Sequence, residues 1–233
     1  MLLKEEASSI GKGGFRATLM INVIIPVLNE ESLLLRRKAY FERLKKKARL
    51  IFVDGGSSDK TVSLAAPLGE VITSSRGKAS QKNAGAGHAG KGHLLFLNAD
   101  CLISEKVLAK IDGALTGGYQ GGSLRMRIAG RRKIFRIMEW CVNTQGDKFG
   151  IFDADLGFFI DREAFQSRGG FPPAPCMEDI LFSLKARKNI KTVMLPDTIY
   201  VSPRKWQREG FLRTFLCYLG RYVRYRFFSL PAY

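Results

Sequence analysis

Three polar clusters each follow an apolar run: Asn29-Glu30 after "INVIIPVL", Asp54-Gly55-Gly56-Ser57-Ser58-Asp59 after "LIFV", and Asn98-Ala99-Asp100 after "HLLFL". A fourth acidic pair, Glu178-Asp179, precedes an amphipathic stretch containing Ile180, Leu181 and Leu184. Oxygen-rich groups of this kind can accept hydrogen bonds from hydroxyl or base groups, hold a hard divalent cation, or take a proton as a general base. Each cluster also has a plainer reading. Acids at strand ends commonly cap helices or form turns, and an acid in the first turn of a helix is favoured by the macrodipole. What separates the two readings is whether the clusters converge.

The elements around them bring that convergence about. Ile21 to Val27 is a continuous β-branched run, as expected of a strand covered on both faces. A helix should follow with Leu33, Tyr40, Phe41 and Leu44 inward and Arg36, Arg37 and Lys45 to Lys47 mostly outward. Leu50 to Val53, Val71 to Thr73 and His93 to Leu97 read as further strands, separated by helices over Asp59 to Leu68 and Ala79 to Ala89. This alternation predicts right-handed βαβ units and a mostly parallel sheet between helices. In such sheets ligands sit beyond the carboxyl ends of the strands, which is where the three polar clusters fall. Ser104 is expected to cap a scaffold helix that buries Leu108, Ile111 and Leu115.

Composition narrows the partners. A chain of 233 residues with 45% hydrophobic content buries a substantial core. A net charge of +17 draws anions: phosphates, nucleotides, nucleic acid or an acidic bilayer. The segment from Ser123 to Arg136 holds six cationic residues and no acid, which suits a pyrophosphate or acidic acceptor or a solvated surface. Four widely spaced cysteines with no CxxC pair point to free thiols in a reducing cytosol. No apolar run approaches the ~20 residues that span a bilayer. His88 and His93 lack ligand spacing and read as structural or surface residues. Residues 1–19 are polar and glycine-rich and read as a flexible extension, whereas 211–233 form a basic, aromatic, amphipathic helical tail. That tail either packs on the domain or lies in a membrane interface.

The combination "VIIPVLNE", "VDGGSSDKT", "RGKASQKNAGAGHAGKGHLLFLNAD" and "GGFPPAPCMEDI" resembles glycosyltransferase family 2, over roughly residues 20–210. It is especially similar to a small bacterial subfamily with a HAD-like tripeptide in place of DxD and a late SxRxWxxxG segment, here Ser202 to Gly210. The resemblance implies a GT-A fold with a Rossmann-like, mostly parallel sheet, a nucleotide-sugar donor and an inverting transfer to an acceptor hydroxyl. It implies that Pro26, Asn29, Glu30 and Asp54 line the nucleoside pocket, with Arg76, Lys78, Asn83 and Asn98 on the donor side and Asp155 toward the acceptor. Arg204 and Trp206 would close over the donor. Asp100 would hold Mg²⁺ or Mn²⁺, with Asn98 standing where the family's first acid usually is. Glu178-Asp179 would be the catalytic acidic pair, with Asp179 as the base. The acceptor is open and includes lipid-linked or acidic molecules, so the expected location is the cytoplasm, including the inner face of a membrane. Two rivals remain: an inactive relative that binds nucleotide or a partner, and a nucleotidyltransferase-like enzyme, whose Gly-rich loop after strand one is replaced here by Pro26 to Glu30. Nucleic acid is not an expected partner, because acids at the strand ends repel phosphate.

Overall fold

The apolar run that opens the domain forms β1 (Ile21–Val27), buried along nearly its whole length. The computed structural model describes residues 20–152, 154–174, 177–204, 210 and 220. The expected extension (1–19), Trp206 and the tail apart from Gly220 lie outside the described residues. After β1 come α1 (Glu31–Leu44), β2 (Arg49–Asp54), α2 (Thr61–Ala65), β3 (Glu70–Thr73), α3 (Lys78–His88), β4 (His93–Phe96) and α4 (Lys106–Thr116). The second half supplies β5 (Gly121–Ile128), α5 (Lys133–Phe149), a short 3-10 turn over Ala154–Leu156, β6 (Phe159–Ile160), α6 (Arg162–Gln166), α7 (Glu178–Ala186) and β7 (Thr192–Val201).

These strands make one seven-stranded sheet in the order β3-β2-β1-β4-β6-β5-β7. β1 runs parallel to β2 and β4, and β5 parallel to β7, while β6 lies antiparallel between β4 and β5. In register, Val27 lies opposite Asp54, and the Leu97 amide donates to the Ile24 carbonyl at 3.0 Å. The three polar clusters therefore leave neighbouring strands at the same edge. The four strands expected in the first half are present, and α1 buries Leu33, Tyr40, Phe41 and Leu44 as its periodicity requires.

α3 sits unusually close to the sheet. Its inner face is Ala79, Gly85 and Ala86, and a β-carbon on Gly85 would stand 2.5 Å from Ile24 Cγ2, so only glycine permits the approach. Behind β4 a cluster of Phe96, Phe158, Phe165, Phe171 and Phe182 fills the space toward α6 and α7, with neighbouring ring centroids 4.8–6.3 Å apart. Such tilted and edge-on contacts suit the aromatic quadrupole.

One expectation is corrected. Ser104 does not cap α4 with its side chain: Glu105 holds the cap position without a side-chain bond, and Ser104 contributes only its carbonyl, to the Val107 amide at 3.0 Å. The reason lies just upstream, where Leu102 and Tyr200 exchange backbone hydrogen bonds of 2.9 and 2.8 Å and bring the chain into the helix already tethered to β7.

Candidate active site

The turn after β2 is built by its own acid. Asp54, 3% exposed, accepts from the amides of Gly56 and Ser57, both at 3.0 Å, and from the Ser57 hydroxyl. Ser57 Oγ in turn accepts from the Asn29 amide at 2.9 Å, and Asn29 Oδ1 accepts from the Ser58 amide at 2.9 Å. Asn29 has φ of 53°, a left-handed conformation that asparagine tolerates better than most residues. The Glu30 amide donates to Thr61 Oγ1 at 2.7 Å. The first two clusters are thus one interlocked surface at the ends of β1 and β2, with Pro26 beneath it opposite Val53.

Gln81 locks the same edge from below. Its Nε2 donates to the carbonyls of Val27 at 2.9 Å and Val53 at 2.8 Å, tying both strand ends to α3. At the start of α3, Arg76 and Lys78 are exposed, beside Gly77 with φ of 134°. Lys78 stands close enough to Cys101 to offset some of the effect of burial, which pushes that thiol well up.

After β4, Asn98 donates through Nδ2 to Asp155 Oδ1 at 2.7 Å. This contact explains the amide chemically: a carboxylate at position 98 would face Asp155 as a like charge. Asp100 points toward Arg204, whose Nη2 lies 3.5 Å from Asp100 Oδ2 and 3.2 Å from Glu30 Oε1. Arg204 stands just beyond the end of β7 and so joins the first and third clusters across the sheet edge. Burial alone would lower its pKa, but the hydrogen bonds to Glu30 and the Asp100 charge raise it. From α1, Arg37 Nη1 donates to the carbonyls of Ala99 at 3.3 Å and Cys101 at 3.1 Å, holding the loop that carries Asp100.

The fourth cluster is of another kind. Glu178 and Asp179 open α7 after Met177, which has φ of 61°. Lys82 Nζ lies 2.6 Å from Glu178 Oε1 and 3.4 Å from Asp179 Oδ2, with side-chain exposures of 1%, 2% and 6%. The ammonium also sits 5.1 Å from the centre of the Phe171 ring. Next along α3, Asn83 uses both ends of its amide on the Phe171 backbone, at 2.8 and 2.9 Å, pinning the Gly-Gly-Phe loop ahead of α7.

The structure therefore gathers Asn29, Glu30, Asp54, Asn98, Asp100, Asp155 and Arg204 at one edge, with Arg76 and Lys78 on the adjoining helix start. Sequence reasoning missed Arg37, Gln81 and Lys82. A signal for Lys82 existed: it shares a helical face with Ala79 and Ala86, so a cation there must be buried and paired. His93, 4% exposed at the opposite end of β4, takes no part. An open cavity of about 450 Å³ lies near the far end of α5, lined in part by Lys148, Arg187 and Thr192, at the other sheet edge.

A cation can be tested against these donors. Among the described residues no group of three or more His, Cys, Asp or Glu side chains could hold a metal ion. Mg²⁺ and Mn²⁺, however, are often held by one or two carboxylates plus substrate phosphates, and Asp100 with Asp155 nearby fits that phosphate-completed type. No described helix is long and apolar enough to cross a membrane.

Comparison with known proteins bears on the fold. The model of the family described as Glycosyl transferase family 2 matches residues 22–121, the span that contains the first three clusters. No curated protein matches the sequence. Among solved structures, S. aureus TarS 1-349 in complex with UDP-GlcNAc is similar at TM-score 0.64 and 17% identity, covering 79% of this chain and 58% of that one. The mannosyltransferase PcManGT from Pyrobaculum calidifontis, in complex with GDP-Man and Mn²⁺, is similar at 0.59 and 22%, covering 78% and 56%. Glucosyl-3-phosphoglycerate synthase from Mycobacterium tuberculosis, with Mn²⁺, UDP and glucosyl-3-phosphoglycerate, gives 0.58 and 17%, covering 80% and 71%. The chain thus spans about three fifths of the TarS fragment. At these identities the structural likeness speaks for the fold, which is of GT-A type, and the family match covers residues 22–121 of it.

Proposed function

We propose that this chain transfers a sugar from a nucleoside-diphosphate sugar to an acceptor hydroxyl with inversion, using Asp179 as the general base. The observation that carries the reading is the division of carboxylates. Glu30 and Asp100 sit at the strand ends beside exposed cations, whereas Glu178 and Asp179 are held at a helix start against Lys82. Asn29, Glu30 and the Asp54 turn offer acceptors for base and ribose, with Pro26 below. Arg76, Lys78 and Arg204 offer countercharge to the diphosphate, and Asn83 acts on the same side by holding the Phe171 loop. Asn98 orients Asp155 toward the acceptor side. Trp206, two positions after Arg204 in sequence, completes the donor cover on this reading.

In the chemical step the acceptor hydroxyl gives its proton to Asp179 while its oxygen attacks the anomeric carbon opposite the diphosphate, whose bond to that carbon breaks. Glu178 is the closer partner of Lys82, which leaves Asp179 the less committed to the ammonium. A divalent cation held by Asp100, when bound, would neutralise charge developing on the leaving diphosphate. The reaction is placed in the cytoplasm on this reading, and the acceptor stays open, lipid-linked and acidic molecules included.

The Asn98 bond to Asp155 also favours a second reading, a nucleotide-binding relative without turnover, since it leaves one acid fewer for a metal. Turnover across a panel of nucleotide sugars, with and without Mn²⁺, separates the two. Asp179→Asn should still bind the donor nucleotide and lose transfer by about 10²-fold or more. Near-normal transfer would remove the assignment.

A further inference from the structure

We infer that the outer face of α5 docks on a bilayer surface rich in anionic headgroups. This helix is clamped to the sheet by its polar inner residues. Glu139, 5% exposed, accepts from the Ile128 amide at 2.6 Å and pairs with Arg136 at 2.8 Å, while Asn143 bonds the Met126 backbone both ways at 2.8 and 3.2 Å. These bonds fix which face of the helix is turned away from the sheet. At its centre stand Ile137 and Trp140, 58% and 68% exposed. Lys133 lies one turn before Ile137, and two turns after Trp140 come Asp147, paired with Arg125 at 2.7 Å, and Lys148. Arg131 and Arg132 extend the cationic end, and among the described residues neither they nor Lys133 makes an ion pair.

An apolar centre bearing an exposed tryptophan beside a cluster of three unpaired cations is the chemistry of a helix lying in a membrane interface. Charge decides the occupant. Along α5 the acids are Glu139, which faces inward, and Asp147, which is paired with Arg125, and the whole chain carries +17. A second copy, or the chain's own tail with Arg213, Arg221 and Arg224, would set cations against cations. Anionic headgroups complement them and leave Trp140 at the depth that indole favours. Ile128 and Val201 are paired, so α5 rises from the sheet edge where Arg204 meets Asp100, and docking would hold that edge next to the bilayer.

The test needs no sugar transfer, so it fails or succeeds separately from the function proposed above. The full chain is sedimented with vesicles of phosphatidylcholine alone or mixed with phosphatidylglycerol. Binding is expected only to the mixed vesicles, weakening as salt rises. Ile137→Ser with Trp140→Ser should lower partitioning on the order of tenfold or more, and Arg132→Gln or Lys133→Gln by about fivefold each, with the melting temperature unchanged. The chain has two tryptophans, so in a Trp206→Phe background Trp140 reports alone, and its emission should shift to the blue on mixed vesicles. The idea is overturned by equal binding to neutral vesicles, by no binding, by full binding of the double variant, or by an unshifted Trp140 emission.

Discussion

Two clusters in this domain share one formula, a single cation facing two carboxylates, and differ in everything that follows from water. At the sheet edge Arg204 bridges Glu30 and Asp100 with side chains that are 45%, 25% and 26% exposed. In the interior Lys82 meets Glu178 and Asp179 at exposures of 1%, 2% and 6%. A hydrated cluster contributes little to stability and can exchange partners at small cost. A dry one must keep its partners, because a stranded buried charge is expensive. On the function proposed above, the first is suited to releasing its arginine to an incoming diphosphate. On the same reading, the second is suited to holding the base in one place.

Lys82→Met challenges that contrast most strongly. It leaves two buried carboxylates without their counter-charge and should cost about 3–5 kcal/mol of stability, measured by denaturant unfolding. A loss under about 1 kcal/mol would mean that the interior cluster is wetter than its burial implies.

Asn98→Asp comes next, because it replaces a donor with a like charge at the 2.7 Å contact to Asp155. We expect a loss of about 1–3 kcal/mol at neutral pH, relieved as the pH is lowered and one carboxyl takes a proton. A stabilised variant, or one that gains nothing on acidification, would show that the amide was not chosen for this bond.

Arg204→Ala should change stability by no more than about 1 kcal/mol while weakening donor nucleotide binding. A large stability loss with binding unchanged would reverse the roles given to the two clusters.

The smallest effect belongs to another exposed pair, Arg49 with Glu70, bound at 2.6 and 2.7 Å. Hydrogen bonds from Arg49, then from His88, hold the Glu70 carboxyl down to about 2. Its contribution is therefore complete above the ordinary carboxylate value and is lost as pH falls toward about 2. Glu70→Gln should remove that part of the acid sensitivity, within about 1 kcal/mol. An unchanged acid limb would count against the pairing.

Legibility in the sequence followed the same divide between regular and irregular. β1 to β4 carry unbroken apolar runs, and their strand ends were readable because each run stops at polar residues. The second half was harder. β6 has only two residues, and β7 contains Pro196 where its pairing with β5 slips between Ser123 and Arg125, so neither shows a clean period. α5 was hidden by its own charge, since the cations of 123–136 suit either an anionic ligand or a solvated surface, and neither reading points to a helix that buries Phe135 and Glu139. Within the site, the strand-end acids were visible one by one, but their pairing with Arg204, 174 positions from Glu30, was not. A salt bridge between distant elements leaves no periodic trace.

Residues 81, 82 and 83 of α3 have one further consequence. Successive helical side chains project about 100° apart, and these three consecutive residues grip three different things: the ends of β1 and β2, the acidic pair of α7, and the loop at Phe171. One turn of helix is therefore the ruler between the two sides of the cleft. Its length cannot be altered by sliding a loop or repacking a surface, so on the function proposed above it would hold the spacing between the strand-end cluster and the acidic pair even where the chain around it is free to vary.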